Sequence, residues 1–296
     1  MMPTAPVFAT GTARLIPATA EGFLLTSKEI TGLGIEAGHF TSGTSGASTN
    51  SDGRFFSAYG VTEFNTADYV GFNYAVNDQL ATSFYVGDYS DLWRQYYGNV
   101  NYNLPLADKQ SLIFDLNAYK VQEIGDANGG DIDTLAWSFS GTYKFGAHGI
   151  TLGYQQIDGD EPFDYLLQDL SNAGNSIFLG NSVQYSDFNG PNEKSVQVRY
   201  DIDMSAYGVP GLSFMTRYIT GFDIDGTDAD PNGAYAGLYG PDEKHWERNV
   251  EAKYVVQSGP AKDLSLRVRQ ATHRASSFDN DVDEVRVIIE YPLEIL

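Results

Sequence analysis

The sequence predicts an all-β chain folded as an antiparallel transmembrane β-barrel. Three observations carry that expectation: hydropathy that repeats every second residue, short connections alternating with long ones, and no helical period of comparable length. Residues 69–76 set Val70, Phe72, Tyr74 and Val76 against Tyr69, Gly71, Asn73 and Ala75. Residues 135–145 set Leu135, Trp137, Phe139, Tyr143 and Phe145 against Ala136, Ser138, Ser140, Thr142 and Lys144. Further on, Leu264, Leu266 and Val268 oppose Ser265, Arg267 and Arg269, and Val285, Val287, Ile289 and Tyr291 oppose Glu284, Arg286, Ile288 and Glu290. Successive side chains of a strand point to opposite faces, so each segment has one apolar, aromatic side and one small, polar or charged side.

Tight connections are expected at 31–33, 77–79, 106–110, 146–149, 207–211 and 259–263, where Gly, Asn, Asp and Pro cluster. Between them fall longer, acidic, Gly-rich connections at 123–132, 160–193, 224–246 and 275–283. Strict alternation of short and long links suits an up-and-down barrel with one rim on each side of a membrane. Counting residues 54–60 as a wall strand breaks that parity, so Tyr59 is placed in a long loop, 44–67. About 13 strands result, whereas bacterial single-chain barrels use even numbers. The start, Met1 to Pro6, carries no basic segment followed by an apolar core. Both points lead us to expect a single barrel domain over 1–296 that begins partway round a larger barrel.

Composition narrows the function. The 296 residues include 18 Lys and Arg against 39 Asp and Glu, a net charge of −21, which excludes a nucleic-acid partner. Cysteine is absent, so neither a disulfide framework nor a thiolate metal site is available. No run of 18 apolar residues occurs, which rules out a transmembrane helix but not a barrel. Tyr, at 20, exceeds Phe, at 17, as suits surfaces touching both an apolar phase and water. His39, His148, His245 and His273 are scattered without metal-ligand spacing, and catalytic motifs are missing, so no enzyme, cofactor or metal is expected. The run from Asp228 to Gly233 resembles the opening of a calcium loop, but position twelve is Tyr239, not a bidentate Glu; a solvated acidic loop is expected. A soluble, acidic, secreted β-barrel or sandwich that binds a ligand is the alternative to a pore.

Several segments are similar to one known family. They are Gly180-Asn181-Ser182-Val183-Gln184-Tyr185-Ser186-Asp187-Phe188-Asn189-Gly190-Pro191, the stretch from Leu212-Ser213-Phe214-Met215 through Gly259-Pro260-Ala261-Lys262-Asp263-Leu264, and the end at Val287 to Leu293. Arg14-Leu15-Ile16-Pro17, Gly22-Phe23 and Glu36-Ala37-Gly38-His39-Phe40 fit as well. Together they resemble the OprD family of outer-membrane porins of pseudomonads. The resemblance implies an 18-stranded barrel, of which about five strands would lie outside this chain, and a lumen narrowed by infolded loops. It implies passive, substrate-selective passage of small carboxylate-bearing solutes, such as basic amino acids, small peptides and carbapenems. The partners it implies are outer-membrane lipid, those solutes and, at most, a weak homotrimer.

Two site features follow. Lys253, Arg267, Arg269 and Arg286 fall on the polar faces of the last three strands, close enough to form a cationic track along which a carboxylate could step. The resemblance makes them part of the family's basic ladder; pairing with nearby Glu251 and Glu284 is the plainer reading. The second feature is the loop 160–193, whose Leu166-Leu167 and Ile177-Phe178-Leu179 suit burial in a lumen better than exposure to water. The resemblance places Tyr165, Asn175, Ser176, Ser182, Tyr185 and Asp187 at the constriction, joined by Arg14 and Tyr59 from other loops. Asp187 would face the arginines and hold the cationic end of a zwitterion. Asn175 stands where the OprD branch has an acid, which weakens the expected selection for Arg or Lys; an ordinary surface loop is the plain alternative.

Overall fold

The computed structural model describes residues 1–11, 16–170 and 177–292. Its frame is one antiparallel sheet of 13 strands paired in sequence order. The strands are β1 (Thr19–Ser27), β2 (Leu33–Thr44), β3 (Ala67–Ala75), β4 (Leu80–Tyr89), β5 (Trp93–Pro105), β6 (Gln110–Glu123) and β7 (Asp133–Phe145). They continue as β8 (His148–Asp158), β9 (Lys194–Asp203), β10 (Leu212–Ile224), β11 (Glu243–Val255), β12 (Ser265–Ala275) and β13 (Val282–Glu290). β1 and β13 are the edges, each hydrogen-bonded to a single neighbour strand among the described residues.

The period of two sorts the side chains as a membrane wall requires. On β13, Val285, Val287 and Ile289 are 66–69% exposed, while Glu284, Arg286 and Ile288 between them are partly covered. Val70, Leu152, Val198, Val250 and Val268 continue the exposed apolar face across the sheet. Such a contiguous apolar surface is unfavourable in water and suits hydrocarbon. Tyr143, Tyr207 and Tyr254 lie exposed near its short-turn rim, with His148 bridging the hydroxyls of Tyr200 (2.7 Å) and Tyr207 (3.0 Å). Amphipathic rings so placed mark a membrane–water boundary.

The opposite face is less uniform than the sequence pattern suggests. Along β3–β6 it carries large buried aromatics, Tyr69, Tyr85, Tyr97 and Tyr119, instead of small or polar groups. The reason is that chain segments fold against it. Phe8, from the first residues, sits 5.0 Å from the Phe40 ring and 5.4 Å from Phe55, and Phe163 sits 4.7 Å from Tyr119. From β8 to β13 the same face is mostly polar or charged, broken by the buried Ile157, Met215, Ile219 and Ala271.

Connection lengths also depart from strict alternation. β4 and β5 are joined on the long-loop rim by only three residues, 90–92. Leu92 N–H closes the turn on the Tyr89 carbonyl (3.0 Å), Asp91 takes a left-handed φ of 55°, and the connection 124–132 folds over it through Asn128 N–H to the Asp91 carbonyl (2.8 Å). Residues 54–60 lie outside the main sheet, as the parity of the connections predicts; Phe55–Ser57 pairs instead with Glu63–Phe64 and Leu166–Gln168 in a small inner sheet.

One connection shows how the sheet is wrapped. Residues 177–187 touch strand after strand across the inner face. Phe178 N–H donates to Tyr119 Oη on β6 (3.1 Å), Gly180 N–H to Ser138 Oγ on β7 (2.8 Å) and Asn181 N–H to Gln155 Oε1 on β8 (2.9 Å). Asn181 Nδ2 reaches Ser195 Oγ on β9 (2.8 Å), Tyr185 N–H reaches Glu247 on β11 (3.1 Å) and Gln184 Nε2 reaches Glu284 on β13 (2.9 Å). A single short segment can meet strands that far apart in the sheet only if the sheet curves around it.

Candidate pore constriction

The connection between β8 and β9 enters the lumen and is fixed there by a carboxylate. Asp164 is 3% exposed and accepts the backbone N–H groups of Ala58 (3.1 Å), Tyr59 (3.0 Å) and Gly60 (3.0 Å), its neighbour Tyr165 (2.7 Å), and the Tyr235 hydroxyl (3.0 Å). It therefore ties together three long connections, 45–66, 159–193 and 225–242. Burial raises its pKa, and the surrounding donors work against that rise.

Next to this knot, four residues expected at the constriction come together. Asp187 accepts the hydroxyls of Tyr59 (3.0 Å), Tyr165 (3.0 Å) and Ser182 (2.5 Å), and the two tyrosine rings meet edge to face at 5.8 Å. Asp187 keeps part of its surface open. Loss of surrounding water raises its pKa, with the three hydroxyls opposing. Tyr185, two residues away, turns elsewhere: its hydroxyl donates to Asp279 (3.2 Å) and its ring lies 4.8 Å from His273. That burial and the Asp279 charge push its hydroxyl up to about 12. Arg14, Asn175 and Ser176 lie outside the described residues.

The four basic residues share the inner face. Strand register sets Lys253 opposite Arg267, Glu251 opposite Arg269, and Arg269 opposite Arg286. Acids are interleaved with them: Arg269 pairs with Glu251, Arg267 lies 3.8 Å from Glu251 and 3.9 Å from Glu290, and Arg286 lies 2.7 Å from Glu284. The arginines thus share one wall and also have carboxylate neighbours. With 22–29% of each side chain exposed, the three arginines remain within reach of lumenal water. Arg286 also links wall to loop, donating to the Gln184 carbonyl (3.1 Å).

The row is longer than the sequence reading made it. Arg199 on β9 and Arg217 on β10 are cross-strand partners on the same face. Arg199 forms a two-pronged pair with Asp201 (2.7 Å each), and Arg217 Nε donates to Asn249 Oδ1 (2.6 Å). With Glu251 they border a polar cavity of about 750 Å³ that reaches up to Gly180 of the infolded loop. The signal for Arg199 was available, because Val196 and Val198 alternate with Gln197, Arg199 and Asp201. At the long-loop end, Asp131, Asp133, Asp160, Glu161, Asp228 and Asp230 surround an open cleft. No carboxylate or histidine group arranged to hold a metal ion occurs among the described residues.

A curved antiparallel wall with hydrocarbon-facing apolar side chains, a loop folded against the inside and a charged inner face defines a membrane pore. The comparisons agree. Residues 1–295 match the model of the outer membrane porin, OprD family. The chain is 52% identical to Porin D of Pseudomonas aeruginosa over its whole length, spanning 68% of that protein, and 30% identical to the porin-like protein GalP of Pseudomonas putida, spanning 67%. Among solved structures, P. aeruginosa OprD superposes with a TM-score of 0.92 at 51% identity, covering all of this chain and 75% of that one. P. aeruginosa OccD3 (OpdP) superposes at 0.92 with 36% identity and 73% coverage of that chain. The chain belongs to the OprD family of outer-membrane porins.

Proposed function

We propose that this porin selects small solutes bearing a carboxylate, basic amino acids and small peptides foremost, and admits carbapenems by the same route. The observation that carries the reading is the cationic row of Lys253, Arg267, Arg269 and Arg286 on the inner face of three adjacent strands. A carboxylate entering a narrow pore loses hydration, and guanidinium groups at successive heights offset that loss at each step. The acidic cleft at the long-loop end draws cations toward the mouth. Asp187 at the constriction supplies an anionic contact for a solute's ammonium group. Flow is passive and down the solute gradient, and the residues take no part in bond making.

The test is solute uptake into liposomes carrying the protein. Replacing Arg267, Arg269 and Arg286 together by Ala should slow a carboxylate-bearing solute about tenfold relative to a neutral sugar of the same size, the factor that about 1.4 kcal/mol of lost charge-assisted contact gives. An equal change for both solutes would contradict the selective role of the row.

A further inference from the structure

The infolded loop is also fastened by a buried chain of titratable groups that the transport reading does not use. Glu193, at the end of the loop, His245 on β11 and His273 on β12 are each almost wholly enclosed. His273 Nδ1 lies 3.0 Å from the Asn280 carbonyl, His273 Nε2 lies 3.0 Å from His245 Nδ1, and His245 Nε2 lies 2.7 Å from Glu193 Oε1. Gly221 of β10 makes room for the last contact, since a Cβ there would sit 2.0 Å from Glu193 Oε1 and 2.6 Å from His245 Nε2.

Each of the three contacts needs one hydrogen between two heavy atoms. The carbonyl of Asn280 only accepts, and an ionised carboxylate only accepts. Two neutral imidazoles supply two N–H groups. With Glu193 ionised, three contacts would therefore share two hydrogens, and one contact would set lone pair against lone pair at hydrogen-bond distance. We propose that Glu193, His245 and His273 together hold one proton more than two neutral rings and a carboxylate would, and that this proton positions the constriction loop. The proposal rests on the porin reading and adds how its loop is held.

The surroundings favour the extra proton. Glu247, across from His273 in the strand register, accepts the N–H groups of Tyr185 (3.1 Å) and Ser186 (2.8 Å). Asp279 lies 4.0 Å from His273, the Tyr185 ring is tilted against His273, and Ser186 Oγ lies 3.4 Å from His245 Nδ1. His245 also lies against the uncharged rings of Phe188 and Phe278, with Tyr239 tilted against Phe278. Among the described residues, two further carboxylates and no lysine or arginine thus face the pair of rings. Asp187 immediately follows Ser186, whose N–H is held by Glu247 and whose Oγ lies beside His245.

When the pH rises far enough to remove the proton, one link becomes repulsive and the loop loosens. The test uses the folded full chain labelled with ¹⁵N-histidine and ¹³C-glutamate. At mildly acidic pH, three of the four ring nitrogens of His245 and His273 should be protonated, or two should be with Glu193 protonated. Two protonated nitrogens beside an ionised Glu193 would overturn the proposal. As the proton leaves, amide exchange of residues 177–192, corrected for intrinsic rates, should speed up about tenfold, the population change that losing one hydrogen bond gives. Glu193→Gln, whose amide can donate to His245 Nε2 without the extra proton, should keep the loop protected and abolish the pH step. A Glu193→Gln protein with an unchanged step refutes the positioning role. Neither readout involves solute, so failure of the transport reading would leave both results as they are.

Discussion

Asp164 ties three long connections together on the inner face of the sheet. Its carboxylate accepts three consecutive backbone N–H groups from 58–60 together with the Tyr235 hydroxyl, so Asp164→Ala leaves several buried donors unpaired. A cost on the order of 3 kcal/mol is expected. Limited proteolysis should then cut within 45–66 under conditions where the parent is resistant, whereas Asp164→Asn should be milder. The pH dependence has a definite sign. The folded-state pKa is raised above the ordinary 3.8, so the stabilisation is complete below that value and is lost as pH climbs through the folded value. Asp164→Asn should remove that slope in a denaturation series. Resemblance to a family made Asp187 visible in the sequence because it sits in a distinctive motif. Asp164 was not visible, because its partners are mostly main-chain groups brought from 105 residues away, and main-chain partners leave no pattern in a sequence.

At the level of the strand, alternation was the legible property, and it placed Arg267, Arg269 and Arg286 on one face with no further information. The same rule applied to β9 gives Arg199, which attention to the last three strands passed over, and the register sets Arg217 opposite it. Alternation could not foretell the inward tyrosines of β3–β6, since they answer to segments packed on them from elsewhere in the chain. Gly71 belongs to this inner lining. A Cβ at that position would lie 2.1 Å from the Tyr85 ring and 2.6 Å from the Phe84 carbonyl, so the ring packs directly over bare backbone. Gly71→Ala should destabilise the fold by about 1–3 kcal/mol, as overpacking does. A lower unfolding temperature in detergent, with the secondary structure unchanged below it, is the expected result. The short turn at 90–92 was hidden for a related reason: it is closed by local hydrogen bonds but covered by a distant connection.

Over the whole molecule, the two faces of the sheet divide the media. The outer-membrane setting follows from the family, and the exposed Val, Leu and Ile side chains on β8–β13 are its physical counterpart. In hydrocarbon an unpaired backbone group costs several kcal/mol, so the free edges of β1 and β13 must find strand partners wherever this wall spans a membrane. The most direct test of the account uses the absence of native cysteine. Single substitutions Arg267→Cys, Val268→Cys, Arg269→Cys, Arg286→Cys and Val287→Cys are probed in the membrane-embedded protein with a charged, membrane-impermeant thiol reagent and with a lipid-soluble quencher on a thiol-linked label. Positions 267, 269 and 286 should react with the charged reagent and escape the quencher, while 268 and 287 should do the reverse. The opposite phase, or equal reactivity at all five positions, would contradict a lumen lined by these arginines.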